Sequence, residues 1–357
     1  MLALRKTKPA FGAELVELPE ISGAIAVGHV RIAVAAAGIC GSDLHAYEWT
    51  PGYEFMAQEL PVTIGHEFSG IVTAAAPDVT GVAVGDRIVC WPTVNCGVCA
   101  ACLAGKTQDC VGRRIIGLHQ DGGFAETVTV PAGNCFVLPD SLPLDIAALA
   151  EPVSVAVNAV NLAELAPGDA VVVLGPGPIV MAVAWVAQAR GAKVLLAGFN
   201  DTARLDHART LGLEGTADLA GETLTQAVAR VLGRAPDRVI EATGQAQSVT
   251  DGLDVLRPRG ILVVAGIHQA PCTLNLTRLV REKKQLRGAH DTTAAAIAEA
   301  IRLLDAHGDQ LGRMITHREP LDRAIEAFTL ARSRQAVKVL LLPQGAAASY
   351  STEGHLS

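Results

Sequence analysis

The spacing of apolar residues changes near residue 152. Before that point, short runs of alternating apolar and polar residues at 30–34, 69–74 and 86–89 are separated by Gly and Pro. Such runs predict a β-rich region with irregular connections and little helix. After that point, runs rich in Val, Ile and Leu alternate with longer Ala-rich segments.

The second part of the chain alternates between strand and helix patterns. Strands are predicted at 171–174, 194–196, 239–242 and 261–264, and helices at 179–190 and 204–211, both followed by Gly. Repeated strand–helix units of this length favour a doubly wound parallel sheet. Further helices are predicted at 294–306 and 321–331, and a strand at 336–342. With 357 residues, two domains are expected.

Composition narrows the class of protein. Half of the residues are apolar, so a large core is available, and the net charge of −7 with no long basic run argues against nucleic acid as a partner. The chain opens without an apolar leader and has no apolar run of membrane-spanning length. We therefore expect a cytoplasmic protein without a membrane partner, in which clustered cysteines indicate metal rather than disulfides.

Four cysteines lie close together in the first half. Cys96, Cys99, Cys102 and Cys110 follow the spacing C-x2-C-x2-C-x7-C. Four thiolates can close a tetrahedron around Zn²⁺ with no open position, which predicts a structural zinc site. A nucleic-acid-binding zinc module is disfavoured because no basic helix accompanies the cysteines, and the long last gap favours zinc over an iron–sulfur cluster.

A second candidate metal set is more dispersed. Cys40 lies in Gly38–His45, and His66 and Glu67 lie in a Gly-His-Glu run. One thiolate, one imidazole and one carboxylate are a plausible set for a catalytic zinc with an open fourth position.

A Gly-rich turn follows the strand predicted at 171–174. Gly175 and Gly177 are the first two glycines of a G-x-G-x-x-G pattern in which Val180 replaces the third. They would allow a tight turn and let the backbone approach a pyrophosphate, which would lie at the helix N-terminus near Pro178 and Ile179. Val180 should push the helix slightly outward.

Together these motifs resemble the zinc-dependent medium-chain alcohol dehydrogenases, within them the sorbitol and threonine dehydrogenase branch. The resemblance covers residues 10–343. It is carried by Gly38–His45, Gly65-His66-Glu67, Gly85-Asp86-Arg87, the cysteine cluster, Gly122–Glu126, Glu151-Pro152 and the turn at 171–177. It implies an α/β fold with a β-rich, chaperonin-10-like catalytic domain at 1–155, a Rossmann domain at 156–292, a return to the catalytic domain at 293–345 and a tail at 346–357.

The resemblance also implies how the metal is held. Cys40 and His66 would bind the catalytic zinc, Glu67 would bind it directly or exchange with a water, and Glu151 would approach it. Asp43 would orient His66 through its other ring nitrogen.

Proton transfer and cofactor binding are implied in the same way. Ser42 would take the proton of the alcohol, and His45 would pass it towards solvent. Ala265, Gly266 and Ile267 would pass close to the nicotinamide. Arg204 would lie near the adenine ribose.

The expected function is hydride transfer between a secondary alcohol or polyol and NAD or NADP, with one catalytic and one structural zinc. The cofactor preference stays open because the strand at 194–196 has no carboxylate at its tip, while Asp201 lies beyond it. The alternatives are an L-threonine 3-dehydrogenase, a zinc-free reductase and a non-catalytic protein that binds zinc and nucleotide. An ungapped alignment puts Thr93 where threonine dehydrogenases carry a histidine. The family resemblance implies a homo-oligomer, either a dimer or a tetramer.

Overall fold

The computed structural model describes residues 1–343. The predicted tail at 346–357 lies outside the described residues. The chain divides into two compact units. Within the described residues, the first is Met1–Glu151 together with 293–343, and the second is Pro152–Thr292.

The strands are, in chain order, β1 Leu2–Lys6, β2 Glu14–Glu17, β3 His29–Gly38, β4 Val62–Thr63, β5 Glu67–Ala75, β6 Arg87–Cys90, β7 Thr93–Val94, β8 Arg114–Ile115, β9 Thr127–Pro131, β10 Cys135–Val137, β11 Ala170–Leu174, β12 Lys193–Gly198, β13 Thr216–Asp218, β14 Arg238–Glu241, β15 Ile261–Val264, β16 Gln285–Gly288, β17 Ile315–Pro320 and β18 Lys338–Leu342.

The helices are α1 Gly41–Glu48, α2 Ala100–Leu103, α3 Leu144–Ala147, α4 Ala150–Leu162, α5 Pro178–Ala189, α6 Thr202–Thr210, α7 Leu224–Val231, α8 Ala246–Val255, α9 Leu276–Arg281, α10 Ala294–Leu311 and α11 Ala324–Arg332. None of the helices within residues 1–343 has the length and apolar character needed to cross a bilayer.

The first unit is built on a mostly antiparallel sheet with the strand order β10-β6-β5-β3-β18-β17, and β9 also pairs with β3. A smaller sheet has the order β2-β1-β4. The core of the first unit includes four fully buried side chains: Ile32, Phe68, Phe124 and Phe328. Because β3 pairs with β5, β9 and β18, it is the strand that organises this unit.

The second unit is a parallel sheet with the order β13-β12-β11-β14-β15-β16. This is the 3-2-1-4-5-6 order of a Rossmann domain, in which ligands bind beyond the carboxyl ends of the strands. Every residue of β11 is buried, as expected of a central parallel strand covered on both faces.

Several boundaries differ from the predicted ones. The sequence pattern did not predict α1, which contains Ser-Asp-Leu-His-Ala and has no apolar stripe. The helix predicted at 321–331 is a 3₁₀ turn, Leu321–Arg323, followed by α11. The strand predicted from 336 begins at Lys338.

Candidate active site and nucleotide edge

The register between β3 and β5 brings the dispersed metal set together. Gly38, the last residue of β3, lies opposite Glu67, the first residue of β5. Cys40 follows β3 by two residues and His66 precedes β5 by one, so both fall at the same end of the pair. One ligand atom each from Cys40, His66 and Glu67 lie within 4.8 Å of one another, and all three residues are buried.

The imidazole of His66 is oriented from both sides. Its Nδ1 lies 3.4 Å from Oδ1 of Asp43, while its Nε2 lies 3.2 Å from Oγ of Ser42. The other oxygen of Asp43 accepts a hydrogen bond of 2.9 Å from the backbone N of Cys40. One carboxylate therefore contacts both the ring of His66 and the turn that carries Cys40. That Asp43 orients a metal ligand stays a prediction.

The protonation of the set responds to this packing. Burial, followed by the nearby Glu67 charge, raises the pKa of Cys40. Burial alone would lower the pKa of His66, but the charges of Asp43 and of the Cys40 thiolate outweigh it, and the pKa of His66 is well above its usual value. A divalent cation between the two side chains would favour the thiolate and the neutral imidazole. The donor set therefore fits zinc.

Lys6 anchors the helix that carries Ser42 and His45. The side chain of Lys6 is fully buried, and its Nζ donates to the backbone oxygens of Gly12 and Tyr47 at 2.8 and 3.1 Å. Tyr47 is in the last turn of α1, where a cation interacts favourably with the helix dipole. Burial lowers the pKa of Lys6 to about 8. No sequence motif marked this buried cation.

Glycines allow the backbone to approach His66 closely. Gly65 has φ +97°, and its oxygen accepts a hydrogen bond of 2.8 Å from the backbone N of Gly123. A Cβ added at Gly122 would lie 2.1 Å from that same oxygen, and one added at Gly117 would lie 2.4 Å from it. The Gly-Gly-Phe motif is therefore needed for backbone contact at the residue before His66 rather than for chemistry.

Glu67 is held by a lysine that the sequence analysis did not identify. Nζ of Lys338 donates to both carboxylate oxygens of Glu67, at 2.9 and 2.6 Å, and to the backbone O of Ile39 at 3.0 Å. Both side chains are fully buried. A direct metal bond from Glu67 would have to be shared with this ammonium group.

Glu151 is in the first turn of α4 and is buried. Its charge adds to those of Glu67 and Cys40, which outweigh burial and raise the pKa of Lys338. Both candidate carboxylate ligands are thus close enough to Lys338 to interact with it electrostatically. Thr93 is buried on β7, where its backbone O accepts a hydrogen bond from Asn134.

A row of aromatic rings leads away from the metal set. The ring of Tyr53 stacks on His45 at 5.6 Å and contacts Phe55 at 5.7 Å, and Phe55 stacks on His119 at 4.8 Å. Burial and the charges of Cys40 and Asp43 raise the pKa of Tyr53, so its hydroxyl stays protonated and can donate a hydrogen bond. His45 lies on α1, Tyr53 and Phe55 lie on the segment that follows it, and His119 comes from a distant part of the chain. No sequence motif marked this row.

The four cysteines of the predicted structural site form a second group. The Sγ atoms of Cys96, Cys99, Cys102 and Cys110 all lie within 4.8 Å of one another. Backbone N–H groups of Cys102 and Val111 lower the pKa of Cys99 to about 6. Val98, Leu103 and Val111 of this lobe are at least 77% exposed, so the lobe has little core of its own.

In the second unit, the Gly-rich turn lies between β11 and α5. Gly175 has φ +106°, and a Cβ added there would lie 3.0 Å from the side chain of Thr243. Gly177 precedes α5, Pro178 is its first residue, and a Cβ at Gly177 would meet no atom within 4 Å. This leaves open space at the helix N-terminus, where the phosphate site is predicted. Val180 is buried, and the outward shift of the helix remains a prediction.

A buried carboxylate ties together two loops at the same edge of the sheet. One oxygen of Glu241, at the end of β14, accepts hydrogen bonds from the backbone N of Thr243 at 2.5 Å and of Gly244 at 3.0 Å. Its other oxygen lies 2.9 Å from Nε2 of His268. Since His268 directly follows 265–267, Glu241 fixes the segment predicted to pass the nicotinamide.

The turn that follows β12 is held by a carboxylate of the neighbouring strand β13. Asp218, at the end of β13, accepts hydrogen bonds from the backbone N of Asn200 at 2.8 Å and from Oγ1 of Thr202 at 2.8 Å. These bonds and one from Ala220 lower its pKa. Arg204 lies in the first turn of α6, with Nη1 3.7 Å from Oδ2 of Asp201. The arginine is thus near a carboxylate of its own chain.

Comparison with known proteins decides the family. The model of the alcohol dehydrogenase GroES-like domain matches residues 26–140, and that of the glucose dehydrogenase C-terminus matches residues 144–341. The chain belongs to the zinc-dependent medium-chain alcohol dehydrogenases. The predicted family, α/β fold class and oxidoreductase activity are confirmed.

Relatives of this dehydrogenase act on different alcohols. It is 32% identical over 318 residues to a sorbitol dehydrogenase of Halalkalibacterium halodurans, covering 88% of this chain and 91% of the relative. It is 33% identical over 350 residues to an L-threonine 3-dehydrogenase of Bacillus subtilis, covering 96% and 99%. A structure described as a zinc-binding dehydrogenase of Sinorhizobium meliloti 1021, bound to NADP, matches with a TM-score of 0.84 at 28% identity, covering 96% and 99%.

The buried Glu67–Lys338 pair leads to a stability prediction for this dehydrogenase. Lys338→Met should lower the free energy of unfolding by about 3 kcal/mol or more, because it leaves a carboxylate buried without its counter-charge. The double variant Glu67→Gln/Lys338→Met should recover part of the loss, since neither charge is then left alone. Urea unfolding of zinc-loaded protein measures both.

Lys8→Met is the matched control, because Lys8 pairs with Glu14 with both side chains at least half exposed. Such a pair is worth about 0–1 kcal/mol. A loss for Lys338→Met no larger than that for Lys8→Met would contradict a stabilising role of the buried pair.

Proposed function

We propose that this dehydrogenase oxidises a small secondary alcohol or polyol and transfers the hydride to NAD or NADP in the cytoplasm. The observation that carries the proposal is the buried group of Cys40, His66 and Glu67, with the hydroxyl of Ser42 3.2 Å from the Nε2 of His66. A binding protein would have no need of a proton acceptor at that place. The sorbitol dehydrogenase relative supports a polyol substrate.

Cys40 and His66 would hold the catalytic zinc, and Glu67 or Glu151 would supply a third donor. When bound, zinc acts as a Lewis acid that lowers the pKa of a hydroxyl group at its open position. The four cysteines at 96–110 would hold a second, structural zinc. The roles of all these residues are part of the proposal.

Ser42 and His45 would move the proton of the substrate. They are three residues apart on α1, so they lie on the same face of the helix. Nδ1 of His45 lies 3.0 Å from Oγ1 of Thr50, which leaves Nε2 to exchange a proton. Burial lowers the pKa of His45, so the ring is neutral at physiological pH and can accept the proton.

The second unit would bind the dinucleotide at the carboxyl edge of its sheet. Gly175 and Gly177 would let the backbone approach the pyrophosphate, and Pro178 and Ile179 would present the start of α5 to it. The segment 265–267, fixed by Glu241, would line the nicotinamide side. The NADP in the Sinorhizobium meliloti structure supports this use of the fold.

L-Threonine is the second candidate substrate, and the Bacillus subtilis relative favours it. Thr93 argues against it, because threonine cannot provide the cation or base of the histidine expected there. The protonated hydroxyl of Tyr53 suits the neutral hydroxyl groups of a polyol better than the charged groups of L-threonine. We also propose a homo-oligomer, as the family resemblance implies, with no nucleic-acid or membrane partner.

A substrate panel tests the function. Zinc-loaded protein should reduce nicotinamide with at least one secondary alcohol or polyol, more efficiently than with L-threonine. Ser42→Ala should lower kcat/KM about 100-fold or more for that alcohol, as expected when a proton-transfer group is lost. Ser333→Ala, a change on the exposed surface, is the matched control and should have no effect.

Absence of nicotinamide reduction with every alcohol would reject the enzyme proposal in favour of a binding protein. Turnover of L-threonine above that of every polyol would support the second candidate instead.

The two zinc roles predict separate effects. Cys40→Ser should abolish turnover while leaving the protein folded, because it removes a ligand from a site with an open position. Cys99→Ser should lower the melting temperature and the solubility, since structural zinc contributes directly to folding. Metal analysis should give about two zinc ions per chain for the parent and about one for each variant. One zinc or none in metal-replete parent protein would refute this division.

The cofactor preference should be relaxed. NAD and NADP should differ in kcat/KM by less than about a thousandfold, which is about 4 kcal/mol. Arg204→Ala should impair NADP more than NAD, and Asp201→Asn should favour NADP, because it removes the carboxylate beside Arg204. Arg209→Ala, on the same helix and paired with Asp206, is the control. Equal losses for both cofactors in Arg204→Ala would show that Arg204 does not contact the 2′-phosphate.

A further inference from the structure

Two cysteines outside both metal sets face each other in the sheet of the first unit. In the antiparallel pairing of β6 and β10, Cys90 is directly opposite Cys135. Neither belongs to a metal-type group found within residues 1–343, and both are free thiols. The sequence separates them by 45 positions, so no spacing motif revealed the pair.

The pair occupies the closer of the two kinds of antiparallel position. The backbone bonds of this ladder are made by neighbouring pairs: N of Trp91 donates to O of Asn134 at 2.8 Å, and N of Leu138 donates to O of Arg87 at 2.8 Å. Cys90 and Cys135 are therefore a non-hydrogen-bonded pair, for which the Cα atoms are about 4.5 Å apart. That separation lies within the range of about 4.4–6.8 Å found for disulfides.

The two thiols differ in accessibility. Cys90 is 1% exposed and Cys135 is partly exposed. The Sγ of Cys90 donates to the backbone O of Trp91 at 3.6 Å, and the Sγ of Cys135 donates to the backbone O of Pro131 at 3.8 Å. Burial, followed by the neighbouring Cys135 thiol, raises the pKa of Cys90 well above its usual value. A small oxidant thus reaches Cys135 first and finds Cys90 beside it as a protected partner.

We propose that Cys90 and Cys135 form a reversible dithiol–disulfide site that reacts with small hydroperoxides. The sulfur of Cys135 attacks hydrogen peroxide: an S–O bond forms, the O–O bond breaks, and the thiol proton leaves with the departing oxygen as water. The sulfur of Cys90 then attacks that of Cys135: the S–S bond forms, the S–O bond breaks, and the Cys90 proton leaves with the hydroxyl as a second water. Two thiols lose two electrons, and hydrogen peroxide gains them.

The disulfide would close the base of the segment 91–134. This segment carries all four cysteines of the lobe, and Asn134 binds the backbone oxygens of Trp91 and Thr93 at 2.7 and 2.9 Å where it begins. Because the bond joins residues that are already opposite each other, it keeps the strand register. Oxidation therefore links the edge strand β10 covalently to β6 without disturbing the fold.

Non-reducing peptide mapping of the zinc-loaded full chain tests this. During titration with hydrogen peroxide, a peptide linking Cys90 to Cys135 should appear, lighter by two hydrogen atoms than the separate peptides. It should appear before a chromophoric chelator detects any released zinc, and dithiothreitol should reverse it. The linked protein should also melt at a higher temperature than the reduced protein.

Cys135→Ser and, as a second variant, Cys90→Ala should both abolish the linkage. Cys272→Ser, which changes a partly buried cysteine of the second unit, should leave it intact. Linkage to a lobe cysteine, irreversible oxidation of Cys135 alone, or zinc release before any Cys90–Cys135 linkage would overturn the proposal.

Discussion

The register of β3 with two of its partners, β5 and β18, is the constraint on which the group of Cys40, His66 and Glu67 depends. Pairing Gly38 with Glu67 places Cys40 and His66 at one end of β3 and β5, and pairing Gly38 with Leu340 brings Lys338 of β18 to the same place. A slip of one residue in a β-pair turns every side chain to the other face. Such a slip would separate the thiolate from the imidazole and leave Glu67 without its ammonium partner.

The rest of the site is supported from outside the ligand set. Asp43 joins the Cys40 turn to the ring of His66, Lys6 binds the last turn of α1, and glycine backbones pack against Gly65. The cysteine lobe differs from this site because it has little core around it. Its four sulfurs lie together, and its apolar side chains are exposed. The protein core shapes the first site, whereas we propose that a zinc ion shapes the second.

Features within short windows of the sequence could be predicted, and the group of Cys40, His66 and Glu67 was predicted too, but most other contacts between distant residues could not be. The cysteine spacing and the alternation of strands and helices each span only a few residues, so the cysteine lobe and the Rossmann sheet could be predicted from the sequence. Lys338 is 271 positions from Glu67, and Phe55 stacks on His119 from a distant part of the chain. The helix α1 has no apolar stripe that a sequence pattern could show. Polar contacts of Asp43 and Lys6 position it instead. The strand β12 has no carboxylate at its own tip. Asp218, which binds the residues that follow β12, belongs to β13.

We propose that this strand register builds a zinc site at Cys40 and His66, separate from the four-cysteine site. Anomalous scattering from crystals of zinc-loaded protein, measured on both sides of the zinc absorption edge, tests it most directly. We predict one peak at bonding distance from Sγ of Cys40 and Nε2 of His66, and a second among the sulfurs of Cys96, Cys99, Cys102 and Cys110. A filled four-cysteine site with no peak beside Cys40 and His66 would contradict the account.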